Sequence, residues 1–216
     1  HEMSDRAEKL GCNAIWINPC FESPFGDAGY DVSDYCKVAP RYGTNEDLRH
    51  LFDEAHKRDM HVLLDLVPGH TSVQHKWFKE SMKAEKNEYT DRYVWTDTIW
   101  ESPQGMGSIS GFSDRDGTCA VNFFSHQPAL NYGFYKCERP WQQPMDAEGP
   151  KATLEAMKDV MDEYVFMHDI EKFKGHWQEL FPGKKLCLEI GCGKGRFTIG
   201  MAELNPDKAF IGIETQ

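Results

Sequence analysis

The segment His61-Val62-Leu63-Leu64-Asp65-Leu66-Val67 constrains the fold more than any other part of the chain. It is almost wholly apolar, with His61 and Asp65 the exceptions, and Pro68-Gly69 stops it. A short run of this kind, rich in branched residues and ended by turn residues, predicts a strand covered on both faces. A second run of the same kind, Asn13-Ala14-Ile15-Trp16-Ile17-Asn18-Pro19, lies upstream. Between them Thr44-Asn45-Glu46-Asp47 reads as a helix start, with Asp47 placed to complete a capping box with Thr44. Leu48, Leu51, Phe52 and Ala55 continue it at helical spacing. Strand, helix and strand in this order predict a parallel β/α unit.

The surrounding sequence fills in the organisation. Residues 4–11 read as the end of a helix stopped at Gly11, and residues 20–44, rich in Gly, Pro and aromatics, as a long loop. Residues 71–148 carry many aromatics together with Gly, Ser and Asp, and predict an irregular subdomain inserted after the second strand. Residues 151–160 predict a helix. A further β/α strand is expected next, but residues 163–180 are polar with scattered aromatics. A fresh strand then appears at 185–190, followed by a Gly-rich turn, a helix over about 194–204 and a strand at 209–213. These changes predict two domains, 1–161 and 163–216, with no linker between them.

Composition narrows the classes. The formal net charge is -11, and nearly all of the acidic excess falls before residue 163. Such a balance does not favour phosphate backbones and suits neutral ligands such as sugars. The seven cysteines include no C-x-x-C pair, which argues against a zinc ribbon or a full disulfide framework and for free thiols in a reducing cytoplasm. No apolar run approaches a membrane span, and the opening residues lack the apolar core of a secretory signal. A cytoplasmic location and no membrane partner are therefore expected.

Three motifs carry a resemblance. Ala14-Ile15-Trp16-Ile17-Asn18-Pro19, Gly29-Tyr30-Asp31-Val32-Ser33-Asp34-Tyr35 and Asp65-Leu66-Val67-Pro68-Gly69-His70, in this order and spacing, resemble the alpha-amylase family, whose catalytic domain is a β/α barrel with its active site at the C-terminal strand ends. The resemblance implies an alpha-glucan oligosaccharide as substrate. It implies that His70 donates a hydrogen bond to sugar hydroxyls, that Tyr30 stacks on the sugar ring with Asp31 nearby, and that Asp65 orients its neighbours. The family often carries Asn, a calcium ligand, where Gly69 stands here. Glycine supplies no side-chain oxygen for a hard cation, so no metal is assigned. Retaining glycosidases need a nucleophilic and an acidic carboxylate. The Gly-Phe-Arg-Val-Asp-like segment that carries the family nucleophile is not present in these residues, so no catalytic residue is assigned.

The second strand-turn-helix carries its own motif. Leu188-Glu189-Ile190-Gly191-Cys192-Gly193-Lys194-Gly195 places a Gly-rich loop after a strand, and Glu214 closes the next strand 19 residues beyond Gly195. Nicotinamide dinucleotides and S-adenosyl-L-methionine are both bound by such a layout. The G-x-G-x-G spacing and Glu189, a carboxylate that would repel a pyrophosphate, favour S-adenosyl-L-methionine. Together with Lys174–Phe181, Met201–Pro206 and Phe210–Glu214, the loop resembles bacterial tRNA (guanine-N7-)-methyltransferase. That implies tRNA as partner, and a cofactor held by Glu189, Gly191, Gly193, Gly195 and Glu214.

The expected fold is therefore α/β: a partial TIM-type β/α barrel with an inserted irregular subdomain, followed by the start of a Rossmann-like class I methyltransferase fold. The expected function is that of a chimeric or fragmentary chain, inactive as given. The alternatives are a glucan-binding remnant only, or a C-terminal segment that binds a dinucleotide.

Overall fold

A computed structural model of the chain describes residues 9, 14–103, 107–109, 113–166, 183, 185–190 and 207–213. The chain divides into two compact units, His1–Glu163 and Tyr164–Gln216.

In the first unit, β1 (Ala14–Ile17) and β4 (His61–Leu64) form a parallel pair in the register Ala14 opposite His61 through Ile17 opposite Leu64. The helix joining them, α1 (Asn45–His56), begins as the sequence predicts. The Thr44 hydroxyl accepts from the Asp47 amide at 3.2 Å and the Asp47 carboxylate accepts from the Thr44 amide at 2.8 Å. Leu48, Phe52 and Ala55 form its buried stripe. Burying a side chain such as Phe52 stabilises the fold by about 2–3 kcal/mol. Glu54, buried on the same helix, is held by Lys57 at 2.7 Å and Arg58 at 2.9 Å.

Both strands depart from the expectation of full burial. Trp16 is 67% exposed and Leu63 43% exposed. Among the described residues each strand has one neighbour, so both outer edges of this pair lack a ladder partner, and the alternate positions that carry Trp16 and Leu63 meet solvent. The expected loop at 20–44 contains a hairpin of β2 (Phe21–Glu22) and β3 (Asp34–Val38), antiparallel with a register shift at Phe21/Glu22. The alternation of apolar and polar residues across 34–38 is too short to distinguish from loop by pattern alone.

The inserted region is more ordered than its composition suggests. It holds α2 (Lys76–Ser81) and the antiparallel pair β5 (Gly107–Ile109) and β6 (Cys119–Val121), with isolated bridges joining Tyr93 to Leu130, Trp95 to Cys119 and His70 to Ala129. Its core is Val94, Ala120, Ala129 and Trp141, with Phe134 packed against them. Phe78 meets Tyr93 edge-on at 5.1 Å and lies parallel to Trp95 at 6.0 Å. The helix expected at 151–160 is longer: α3 runs from Glu148 to Phe166, with Pro150 in its first turn, where a missing amide costs nothing. Thr153, Met157 and Val160 form its buried stripe.

In the second unit, β7 (Lys185–Ile190) and β8 (Lys208–Ile213) pair in parallel, Lys185 opposite Lys208 through Ile190 opposite Ile213. The helices expected at 4–11 (apart from Lys9, which is helical) and at 194–204 lie outside the described residues.

Candidate functional site

β1 and β4 end side by side, and the Asp65 amide extends their ladder by donating to the Ile17 carbonyl at 3.0 Å. The segment after β4 is fixed through its main chain. Tyr35 of β3 donates its hydroxyl to the carbonyls of Val67 at 2.7 Å and His70 at 3.0 Å. Tyr132 donates to the Pro68 carbonyl at 2.6 Å, and the Leu130 amide to the Gly69 carbonyl at 3.1 Å. Every carbonyl from Val67 to His70 thus has a partner, and His70 is delivered to one place beside the 23–33 loop.

That loop is organised by Asp31. Its buried carboxylate accepts from the Ser23 hydroxyl at 2.8 Å, the Gly26 amide at 2.8 Å and the Asp27 amide at 3.1 Å. Ala28 takes a φ of 51° and Gly29 one of 104°. A β-carbon on Gly29 would stand 2.7 Å from the Pro19 carbonyl oxygen, so only glycine fits there. The turn presents Tyr30, whose amide donates to the Asp27 carbonyl at 2.8 Å.

Three of the four residues expected at the sugar site converge. Tyr30 donates its hydroxyl to Asp65 Oδ2 at 2.7 Å. This bond to a carboxylate, reinforced by partial burial, pushes the phenol up to about 12. His70 Nε2 lies 3.1 Å from the Tyr30 carbonyl and Nδ1 lies 3.2 Å from the Asn122 amide nitrogen. An amide nitrogen only donates, so with this Asn122 orientation Nδ1 accepts and the ring proton sits on Nε2, pointing at Tyr30. Burial lowers the His70 pKa, with the Tyr30 carbonyl acting in the opposite sense, and the ring is neutral at pH 7. A sugar hydroxyl must compete with the Tyr30 carbonyl for that proton. Phe123 lies edge-on to the imidazole at 5.8 Å.

The fourth residue is placed differently. Asp31, expected near the sugar, has no exposed surface and spends its lone pairs on the loop. The reachable carboxylate of the loop is Asp27, half-buried, which accepts from the buried Gln127 amide at 2.7 Å. Its negative charge raises the pKa values of both Tyr30 and His70, which puts it in the same group. Asp27, Asn122 and Gln127 were not legible as site residues. Asp27 stands three residues before Tyr30 in a Gly-rich turn, a weak signal that could have found it. Gln127 opens the stretch Gln127-Pro128-Ala129-Leu130-Asn131, which resembles a Gln-Pro-Asp-Leu-Asn motif of the same family and could have found it, whereas nothing local marks Asn122. His126 closes the rear of the loop, its Nε2 4.0 Å from Asp31 and its ring stacked on Phe124 at 5.6 Å.

Tyr30, His70, Asp27 and Asp65 together offer a phenol, a neutral imidazole and two carboxylates within one loop cluster. That mixture of donors and acceptors suits a neutral ligand bearing several hydroxyls. Among the described residues no group of three or more His, Cys, Asp and Glu is arranged to hold a metal ion. No helix among them is long and apolar enough to cross a membrane.

In the second unit Glu189 lies on β7, directly opposite Gly212 of β8. Gly191, Gly193, Gly195 and Glu214 lie outside the described residues.

The model of the alpha-amylase catalytic domain matches residues 5–147, and that of a methyltransferase family, Methyltransf_4, matches residues 183–216. The oligo-1,6-glucosidase of Bacillus cereus is 48% identical over 135 residues, covering 59% of this chain and 24% of the relative. The glucan 1,6-alpha-glucosidase of Streptococcus pneumoniae serotype 4 is 40% identical over 164 residues, covering 73% and 30%. Among solved structures, trehalulose synthase MutB from Pseudomonas mesoacidophila MX-45 superposes with a TM-score of 0.60 at 31% identity, over 77% of this chain and 28% of that one. A mutant trehalose-6-phosphate hydrolase from Bacillus licheniformis superposes with a TM-score of 0.62 at 26% identity, over 98% and 39%. The chain spans about a quarter of the length of the first curated relatives it matches.

Proposed function

The chain belongs to the alpha-amylase family through residues 5–147, and from that premise we propose that the Tyr30–His70 cluster holds the sugar ring of an alpha-glucan oligosaccharide in a partial TIM-type barrel. The observation that carries this is the junction of Tyr30, Asp65 and His70 at the ends of the parallel strands β1 and β4, where barrel active sites are built. Tyr30 offers its ring face and His70 its Nε2 proton. Asp27 accepts from sugar hydroxyls, and Asp65 fixes the phenol. Asp31 acts through the loop it organises rather than by contact. No carboxylate in this cluster is assigned as nucleophile or general acid, so the 216 residues are expected to bind glucan without cleaving it.

Calorimetric titration of the 216-residue chain with isomaltose, beside a reducing-sugar assay, tests this reading. The expected result is saturable binding, lost in Tyr30→Ala and His70→Ala, with no released reducing sugar. Unchanged affinity in both variants sinks the assignment of the site, and turnover above background sinks the binding-only reading.

For residues 163–216 we propose the opening of a Rossmann-like, S-adenosyl-L-methionine-binding methyltransferase domain, with tRNA guanine N7 as the acceptor. The parallel β7–β8 pair supports it, because parallel neighbours require a crossover such as the one a Gly-rich turn and helix supply. Glu189, Gly191, Gly193, Gly195 and Glu214 are the proposed cofactor contacts. Labelled methyl incorporation into tRNA lacking the modification, beside equilibrium dialysis with labelled cofactor, separates cofactor binding from transfer. Cofactor retention lost in Glu189→Ala supports the assignment, and no retention by the unaltered chain removes it.

A further inference from the structure

Phe25 stands in the turn that presents Tyr30, and its backbone is out of place for a bulky residue. Its φ is 59°, in the left-handed region, where a β-carbon crowds the main chain and an aromatic residue is an outlier. Such strain persists only where the surroundings over-determine it. On the backbone side they do. The Phe25 amide donates to the Ser23 hydroxyl at 2.9 Å, and the next two amides, of Gly26 and Asp27, go to the Asp31 carboxylate at 2.8 Å and 3.1 Å. Gly26 is closely walled, since a β-carbon there would stand 3.0 Å from His126 Nε2 and 3.1 Å from Asp31 Oδ2.

The half-buried ring is clamped as well. The Arg41 guanidinium lies over it at 3.9 Å and Tyr42 meets it edge-on at 5.9 Å. Both belong to the turn closed by the Tyr42 amide on the Ala39 carbonyl at 2.8 Å, which leads directly into the Thr44 cap of α1. The ring also packs on Gly29, where a β-carbon would lie 3.7 Å from Phe25 Cε1. The next residue is Tyr30, which donates to Asp65 and offers its carbonyl to His70. Asn or Gly adopts a left-handed φ with less strain, so the aromatic ring occupies this position against the preference of its own backbone. Its contacts offset that cost, and they act one residue before Tyr30.

We propose that Phe25 is a positioning residue for the Tyr30–His70 cluster: its ring, wedged between the Arg41–Tyr42 turn and Gly29, holds Tyr30 on Asp65 and within reach of His70. The consequence for sugar binding rests on the glucan reading above, whereas the geometric claim does not.

Hydrogen exchange in the 15N-labelled 216-residue chain at pH 7 tests it. The probe is the His70 Nε2 proton, donated to the Tyr30 carbonyl and assigned by its loss in His70→Ala. The amide of Phe52, on the buried stripe of α1, reports global opening. Phe25→Asn suits the left-handed backbone, so it removes the ring without adding strain. It should speed exchange of the His70 proton about three- to tenfold, as loss of one hydrogen bond does, with a smaller change at Phe52. Phe25→Tyr keeps the ring and should restore the parent rate. Arg41→Ala, at an exposed position, should act in the same direction as Phe25→Asn, and decides the question if that variant does not fold. An unchanged His70 rate overturns the proposal by showing that the ring does not hold Tyr30. Equal acceleration at His70 and Phe52 also overturns it, by showing that the ring serves the fold as a whole. Isomaltose affinity should fall by the same factor in Phe25→Asn. If the parent chain binds no isomaltose, the glucan reading fails while the exchange rates still decide the role of Phe25.

Discussion

The Tyr30 hydroxyl and the Asp65 carboxylate meet at 2.7 Å across 35 residues of sequence. The contact ties the loop that presents Tyr30 to the end of β4, and it sets the phenol's acidity. Replacing Asp65 by Asn removes the charge and should return the Tyr30 titration from about 12 toward the ordinary value of 10. A spectrophotometric titration of tyrosinate absorbance, taken as the difference between variant and parent, reads the shift directly. An unchanged difference spectrum would mean the bond does not persist in solution.

Asp31 predicts a stability effect rather than a binding effect of its own. Its replacement by Ala strands the Ser23 hydroxyl and the Gly26 and Asp27 amides, and should cost about 2–4 kcal/mol. Urea denaturation followed by tryptophan fluorescence measures it. Asp31→Asn keeps one acceptor oxygen and should cost less.

Gly29→Ala tests the turn from the other side. The added carbon meets the Pro19 carbonyl oxygen at 2.7 Å with φ at 104°, and about 2–3 kcal/mol of destabilisation is expected. The same substitution should weaken any ligand held by Tyr30, since relief of the clash moves the turn that carries it.

The pH dependence of stability should show His75. It is buried between Tyr35 and Trp77, at ring separations of 5.5 Å and 4.6 Å, and burial lowers its pKa from 6.5 to about 3. Between those values the unfolded chain binds a proton that the folded chain refuses, so stability falls as pH falls through that window. The slope is at most about 1.4 kcal/mol per pH unit for one group. Comparing midpoints of chemical denaturation at pH 7 and pH 4.5 in the parent and in His75→Gln should show a shallower loss in the variant. An identical loss would assign the acid lability to other groups.

Trp16 makes the opposite kind of prediction. Its sequence context promises a buried strand residue, yet it is 67% exposed. Trp16→Thr in the 216-residue chain should therefore cost under about 1 kcal/mol by thermal denaturation, as surface substitutions do.

The parallel strands and the capped helix were legible in the sequence because local rules specify them. Apolar runs ended by Pro mark β1 and β4, and Thr44 with Asp47 marks the first turn of α1. The burial of those strands was not legible, since it depends on which neighbours are present rather than on the run itself. At the site, Tyr30, Asp65 and His70 stood out as a motif. Asp27 and Asp31 sit four residues apart in one turn, and only the fold reveals which faces inward to Ser23 and which remains reachable. Asn122 and Gln127 reach the site through contacts spanning 52 and 100 residues, a distance no local pattern encodes.

The main chain from Val67 to His70 is gripped by its carbonyls, from Tyr35, Tyr132 and Leu130, and the side chains at 68 and 69 take no part in that grip. Every residue type has a carbonyl, so such a grip is indifferent to side-chain identity. Mutational drift at positions 68 and 69 can then alter local chemistry, for instance by gaining or losing a liganding oxygen at Gly69, while His70 stays where the neighbouring tyrosines put it. The arrangement separates the inheritance of geometry from the inheritance of chemistry, and makes this short stretch a place where one scaffold can be retuned by single substitutions.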